Sequence, residues 1–306
     1  MSCFKKPEAL PTRHGVSASC VVVPSGAWQG LLDFLHARFP HIQASEWQQR
    51  FADGLVVNQQ GHALRADAPC VAGEKLYYWR HCFNEPEVHQ SERVLYQDAH
   101  VVVADKPHFM PVTPAGRYVQ RSLLVRLKQR LGLAHLSPVH RIDRETAGVV
   151  LFSVQPQERV AYHALFNHQQ VHKLYHAVAP VLPHVQLPCV HTSRLQSDAA
   201  FFKSCEVAGE PNSETHVALL KQEGTSGLYA LTPRTGQRHQ LRVHMQSLGL
   251  PIEGDQFYPQ VLRGPHEEDD HSQTLQLLAK ELAFTDPITG EPRHFVSQQH
   301  LRMRAG

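Results

Sequence analysis

Cysteine is scarce in this chain and poorly placed for cross-linking. Cys3, Cys20, Cys70, Cys82, Cys189 and Cys205 are scattered over 306 residues with no Cys-x-x-Cys pair, which argues against a disulfide framework and against a cysteine zinc site. No apolar run approaches the roughly 20 residues that a membrane-spanning helix needs. The opening stretch MSCFKKPEALPTRHG holds no apolar core of a secretory signal, so a cytoplasmic protein without membrane contact is expected. A Gly-rich phosphate loop and internal repeats are also missing, which disfavours a Rossmann domain. Charge of one sign is not in excess: 30 Lys and Arg against 28 Asp and Glu give +2, and such a balance names no polyanionic partner.

Histidine, by contrast, is plentiful at 23 residues. His168, His172 and His176 recur at four-residue spacing, which on a helix could gather a metal ion. The helical pattern ends near Gln170, however, and KLYHAVAP reads as a strand, so no metal site is expected. Basic residues are bunched rather than abundant. Arg117, Arg121, Arg126, Lys128, Arg130, Arg141 and Arg144 share one stretch with Asp143, and Arg234, Arg238 and Arg242 form a second group. Local basic density of this kind is the footprint of phosphate contact, although for residues 121–130 a solvated helix face is an equal reading.

The chain divides by pattern. Residues 1–15 read as a tail. Residues 16–82 hold two short helices, GLLDFLHARF with Leu31, Leu32, Leu35 and Phe39 at helical spacing and SEWQQRFADG with Ser45 as N-cap and Gly54 after its end. Strands LVVNQQGHAL and GEKLYYWR follow. Residues 83–92, polar and aperiodic, read as a linker. From Arg93 to residue 306 helices and strands alternate irregularly. RVLYQDAHVVVADKP is two strands, SLLVRLKQRLGL an amphipathic helix, QPQERVAYHALFNHQ a second helix and GVVLFSV a buried strand. HQLRVH alternates polar and apolar residues and is predicted as a strand, with Gln240, Arg242 and His244 on one face and Leu241 and Val243 toward the core. The fold class is therefore α+β, a mixed and largely antiparallel sheet with flanking helices behind a small N-terminal α+β domain.

The chemistry concentrates at SPVHRIDRETAGVVLFS. Asp143 lies between Arg141 and Arg144 in the loop that leads into the buried strand. Burial disfavours an ionised carboxylate and a nearby guanidinium favours it, lowering the pKa by about 1–3 units. Such a carboxylate can act as a nucleophile; it can equally be half of a structural ion pair. A buried arginine likewise needs an anionic partner, and Arg242 and Asp143 are candidates for each other.

HRIDRETAG resembles the catalytic loop H-R-L-D-R-D-T-S-G of the RluA-type pseudouridine synthases. ADKPHFMPVTPAG, KLYHAV, TGQRHQLRVH with GLPIEGDQFY, and LAFTDPITGEP match other motifs of that family in the same order, over roughly residues 93–295. The N-terminal helices, DGLVVN and VAGEKL resemble the small RNA-binding domain typified by ribosomal protein S-four, though the second helix carries only Arg50 as a basic residue. The first resemblance implies an isomerase that turns uridine into pseudouridine in ribosomal or transfer RNA, as a monomer and with no cofactor or metal. It implies Asp143 as the nucleophilic carboxylate, Tyr175 as the face on which the base stacks and Arg242 as the partner of Asp143. Arg141, His140, Arg144, Lys173, His239 and Gln240 are the substrate-binding residues it suggests. Leu250, Thr113 and Leu278 stand where histidine is frequent in the family, departures that bear on the target RNA rather than on the reaction. A catalytically silent RNA-binding protein on the same fold is the rival reading, and the joint presence of Asp143, Tyr175 and Arg242 weighs against it. A nucleosidase would need a second catalytic carboxylate, and no matching motif supplies one.

Overall fold

The structure, a computed structural model, describes residues 12–80, 85–198, 203–262, 264, 267 and 270–303. Most of the tail, the boundary between the N-terminal unit and the linker, and Cys3 and Cys82 lie outside these residues.

The N-terminal unit is a three-stranded antiparallel sheet carrying two helices. Strand β1 (Ser19–Val22) precedes α1 (Leu31–Arg38) and α2 (Ala44–Ala52), which are followed by β2 (Val56–Val57) and β3 (Lys75–Tyr78), in spatial order β1-β3-β2. Strand β1 has no sequence signal beyond four residues. The helices bury Leu31, Phe34, Leu35, Trp47 and Phe51 against Val21, Val56 and Leu76. Helix α2 begins one residue before the predicted cap, at Ala44 behind Gln43, and ends where Gly54 takes φ +62. Arg50, the basic residue of that helix, is buried, with its guanidinium 4.6 Å over the Trp47 ring and 3.6 Å from Glu46. It supports the core and presents no charge to a partner.

The remaining strands form one sheet. They are β4 (Arg93–Gln97), β5 (Val101–Lys106), β6 (Ser137–Pro138), β7 (Ala147–Ser153), β8 (His172–Pro180), β9 (Cys189–Ser197), β10 (Ser204–Val207), β11 (Ser213–Glu223), β12 (Ser226–Pro233), β13 (Leu277–Thr285) and β14 (Pro292–Val296). Their order is β10-β9-β11-β12-β8-β13-β7-β5-β4, with β14 on β13 and β6 on β7. Every pairing is antiparallel except β13 with β7, which matches the expected mixed sheet. All seven residues of β7 are buried, as its continuous apolar run requires. Helices α3 (Leu123–Leu131), α4 (Arg159–Asn167) and α5 (Gln240–Ser247) flank the sheet. Helix α3 ends on Gly132 at φ +68, the left-handed stop that glycine permits without strain.

Segment 240–247 departs from its predicted form: it is a helix. The alternation of polar and apolar residues mimics a strand, but Gln240 through Met245 are all buried. The polar members are held by specific partners, so polarity does not report which side faces water.

The segment read as a linker is pinned in place over residues 85–92. The Glu85 carboxylate accepts hydrogen bonds from the backbone N–H groups of Val119, Gln120 and Arg121 just ahead of α3. Glu92, itself buried, lies 2.7 Å from Arg126 and 3.2 Å from Arg130. Val16, Val57 and Trp79 of the N-terminal unit pack with Val119 and Val125 around this helix, and Lys128 Nζ reaches the Ser17 hydroxyl at 3.1 Å. Arg121 lies 3.7 Å from Glu87, so the basic residues of 121–130 are engaged within the chain. Their partners come from a segment 34 or more residues earlier, where no local pattern would find them.

Candidate active site

One row of residues across the sheet builds the site. Lys106 of β5 lies opposite Gly148 of β7, Gly148 opposite Ala279 of β13, and Ala279 opposite Tyr175 of β8. Gly148 makes the row continuous. Its φ is +116, and a Cβ there would sit 2.2 Å from the Ala279 carbonyl oxygen, so only glycine lets β7 and β13 approach in parallel. The loop bearing Asp143 enters β7 at this row, which brings it near Tyr175 two strands away.

The loop is fastened from below. Lys106 is fully buried and donates to the carbonyl oxygens of Pro107 at 2.9 Å, Met110 at 2.7 Å and Arg144 at 3.0 Å. Burial pushes its pKa down to about 7, with Glu145 and Asp143 pulling the other way. His108 donates from Nδ1 to the Glu145 carbonyl at 2.6 Å, and burial drops its pKa to about 4, so the ring is neutral at pH 7. The Thr146 N–H closes a turn onto the Asp143 carbonyl at 3.2 Å. Arg144 folds back onto Glu145 at 2.7 Å and donates to the Tyr118 hydroxyl at 3.2 Å. Burial works to raise the Glu145 pKa, but Arg144 and Arg242 outweigh it and keep this carboxylate ionised.

Asp143 remains at the mouth, its side chain 26% exposed. Arg242 Nη1 lies 3.5 Å from its Oδ2, so the structure brings this predicted pair together. The stronger partner of Arg242 is one that sequence reasoning missed. Asp255 receives Nε at 2.7 Å and Nη2 at 2.6 Å, a bidentate fork with both side chains 1% exposed. Burial alone would lower the Arg242 pKa; the Asp255 hydrogen bonds and charge, then Asp143 and Glu145, hold it above its ordinary value. Asp255 is fixed in turn by the N–H groups of Phe257 at 2.9 Å and Tyr258 at 3.1 Å, whose rings lie 5.3 and 5.2 Å from the guanidinium carbon. The signal for Asp255 was the Gly-Asp turn. Gly254 has φ +73, and a Cβ there would meet the Thr274 carbonyl oxygen at 2.1 Å.

Tyr175 is partly exposed on the apolar cluster of Leu241, Leu231 and Leu277. Burial, and after it the Asp143 charge, raises its phenol pKa well above the usual tyrosine value, so it presents a neutral aromatic face beside the carboxylate. His239 caps α5 in a left-handed conformation, φ +56. Its Nδ1 lies 3.0 Å from the Tyr258 hydroxyl and its Nε2 4.0 Å from Asp143. Burial lowers its pKa against the pull of Asp143.

Not every predicted residue faces this space. Gln240 is buried and takes bonds from Thr235 Oγ1 and the Gln237 N–H while donating to the Glu214 carbonyl and Thr215 Oγ1. It organises the turn before α5. His140 accepts from the Leu151 N–H at 3.1 Å and stacks on Phe166, so it anchors the start of the loop against β7. Lys173 Nζ donates to the Thr235 carbonyl at 3.0 Å, and burial lowers its pKa. Arg141 is exposed beside Asp143 in sequence.

Comparison with known proteins identifies the family. Residues 100–247 match the RNA pseudouridylate synthase family. The dual-specificity RNA pseudouridine synthase RluA of Vibrio cholerae is 34% identical over 203 residues, spanning 63% of this chain and 77% of that protein. An uncharacterized RNA pseudouridine synthase of Synechocystis is 29% identical over 238 residues, spanning 74% of this chain and 79% of that one. Among solved structures, human RNA pseudouridylate synthase domain containing 4 superposes with a TM-score of 0.52 at 27% identity, over 68% of this chain and 88% of that chain. Sequence identity and shared fold alike place this chain in the RluA family of RNA pseudouridine synthases, which are isomerases.

Proposed function

We propose that this chain isomerises particular uridines of a structured ribosomal or transfer RNA, with Asp143 as the reacting carboxylate. The observation that carries the reading is the setting of Asp143: a partly exposed carboxylate beside a neutral aromatic face, with Arg242 3.5 Å away. The bond from ribose C1′ to uracil N1 breaks, the ring turns, and C1′ joins C5. The C5 proton leaves and N1 gains one, so nothing is oxidised. The uridine first leaves its stack, at a cost of a few kcal/mol, and stacking on Tyr175 offsets about 1–3 kcal/mol of it. Arg242, held by Asp255, orients Asp143 from 3.5 Å. The enclosed row beneath the loop limits water, which would otherwise trap a detached sugar. Exposed Arg141 and the largely buried His239, whose Nε2 lies 4.0 Å from Asp143, contact the flipped nucleotide. The N-terminal unit is an S-four-like module that meets RNA through surfaces other than Arg50.

The test is carbodiimide mapping by primer extension on unmodified ribosomal and transfer RNA, with native protein and Asp143→Asn. Because Arg242 keeps its bidentate bond to Asp255, the variant should fold and bind RNA while turnover falls at least a thousandfold, to about the level left when a covalent catalyst is removed. Stops at the same uridines with both proteins would remove Asp143 from the mechanism. RNA binding without stops from either would move the reading to a silent RNA-binding protein, and release of free uracil to a nucleosidase.

A further inference from the structure

A second convergence of side chains lies on the other side of α5. His244 follows Arg242 by two residues, about 200° around the helix, and so points away from Asp143. There it meets His191 of β9 and Glu206 of β10, and one ligand atom from each of the three lies within 4.8 Å of the others. His191 Nε2 and Glu206 Oε1 are 2.7 Å apart. The two imidazole rings are 4.7 Å apart between centroids. His244 is fully buried, whereas the side chains of His191 and Glu206 remain 20% and 29% exposed. The cluster thus has a buried floor and an open mouth.

The surroundings of His244 favour ligation rather than packing. Its Nδ1 lies 2.9 Å from Thr215 Oγ1, and that hydroxyl is itself fixed by Gln240 Nε2 at 3.0 Å. With the proton on Nδ1 donated to Thr215, Nε2 carries the lone pair, which a serine hydroxyl occupies until a metal displaces it. Metal-bound histidines are oriented in this way, through a partner on the second ring nitrogen. Ser193 and Ser213 hydroxyls lie 3.1 and 3.0 Å from Nε2; Ser213 donates to the Ser193 carbonyl at 2.6 Å, which leaves the Ser193 hydroxyl as the donor a metal would displace.

We propose that His191 Nε2, Glu206 Oε1 and His244 Nε2 bind one divalent transition-metal ion of the zinc class, clipping the edge strand β10 to β9 and to α5. Two imidazoles and one carboxylate suit zinc and its neighbours, whereas magnesium and calcium select all-oxygen sites. Bonds of about 2.0–2.1 Å set tetrahedral ligand atoms about 3.3 Å apart. The His191–Glu206 pair then opens slightly, and the other two separations, each within 4.8 Å, adjust by side-chain rotation. A water molecule takes the fourth position at the open mouth. The ion plays no part in the isomerisation; it holds the helix that carries Arg242. This site is distinct from His168, His172 and His176, of which the first follows α4 and the others lie on β8.

The test is a titration of the chelator-stripped full chain with zinc against a zinc-responsive dye, for native protein, His191→Ala, Glu206→Gln and His294→Ala. His294 forms an imidazole–carboxylate pair with Glu281 at 2.8 Å without a partner imidazole in the cluster, and so controls for binding by the many other histidines. One equivalent should bind to the native chain and to His294→Ala, and weaken at least about tenfold in the other two variants. Zinc should raise the melting temperature of the same two proteins only, and cobalt substitution should give the visible bands of a four-coordinate ion. Circular dichroism of the metal-free variants establishes that they fold. Failure to take up one equivalent, or equal uptake by all four proteins, would overturn the proposal.

Discussion

Replacing Asp255 by asparagine removes one charge from the most buried ion pair near the site and leaves the side-chain outline unchanged. Arg242 then keeps two carboxylates, Asp143 at 3.5 Å and Glu145 at 3.9 Å, both beyond the 2.6–2.7 Å contacts it loses in strength. Leaving one member of a buried pair uncompensated costs about 3–5 kcal/mol, against a total stability of about 5–15 kcal/mol for an ordinary domain. The amide oxygen still accepts one guanidinium bond, which sets the expectation at the low end, about 3 kcal/mol. Urea unfolding followed by circular dichroism reads this as a lower midpoint at unchanged slope. Turnover should fall further than the folded fraction does, because the released guanidinium turns toward Asp143. Arg242→Met combined with Asp255→Asn should cost less than the two changes added, since the second removes the charge that the first leaves buried. A loss below about 1 kcal/mol for Asp255→Asn, or additivity within about 0.5 kcal/mol, would refute the account of Asp255 as the main anchor of Arg242.

Acid should weaken the fold through His140. Its pKa is pushed by burial to about 3, against about 6.5 in the unfolded chain. The unfolded state therefore takes the proton first, so the contribution is intact above about pH 6.5 and is lost as pH falls toward 3. About 2 kcal/mol is gone by pH 5, and the gap between urea midpoints at pH 7 and pH 5 should narrow by about that amount in His140→Asn, while buried His108 and His244, both pushed to about 4, keep the remainder. Gly148→Ala forces a Cβ against the Ala279 carbonyl at 2.2 Å from a backbone at φ +116. A loss of about 3 kcal/mol or more is expected, and a melting curve indistinguishable from the native one would contradict the close approach. Glu92→Gln removes the carboxylate shared by Arg126 and Arg130. It should cost about 2 kcal/mol in the same unfolding assay, and no measurable change would show that the pairing is only superficial.

The loop bearing Asp143 was legible because its residues are contiguous: a carboxylate, flanking arginines and an apolar run stand next to one another in the chain. The need of Arg242 for an anion pointed to Asp143, which lies 3.5 Å from it, although the segment that carries Arg242 is a helix and was read as a strand. Every residue from Gln240 to Met245 is buried, so the helical period that normally separates wet from dry positions is erased. Asp255 went unassigned because its partner comes through the fold and not through spacing. Lys106 was read only as the end of a strand; its role depends on three carbonyl oxygens, and backbone acceptors have no sequence signature. Gln240 and His140 carried motif positions yet turned out to brace the backbone, a distinction that only their hydrogen-bond partners reveal.

The internal pairing along α3 and the loop bearing Asp143 governs how this enzyme should respond to salt. A protein that neutralises Z phosphates displaces the cations condensed on them, and log affinity falls against log salt with a slope of about −0.7Z on single strands. Seven basic residues from Arg117 to Arg144 would suggest a slope near −5 if all met phosphate. Arg126, Arg130 and Arg144 already hold Glu92 and Glu145, and Lys128 is buried. A phosphate that approached them would exchange one anion for another with little net release of ions. Arg121 lies 3.7 Å from Glu87, so two of the seven, Arg117 and Arg141, are left to act, and the slope should lie between about −1 and −2. Binding of that kind discriminates among RNAs by how well a loop fits the rim rather than by how much charge it brings, and it persists at ionic strengths that strip simpler basic proteins from RNA.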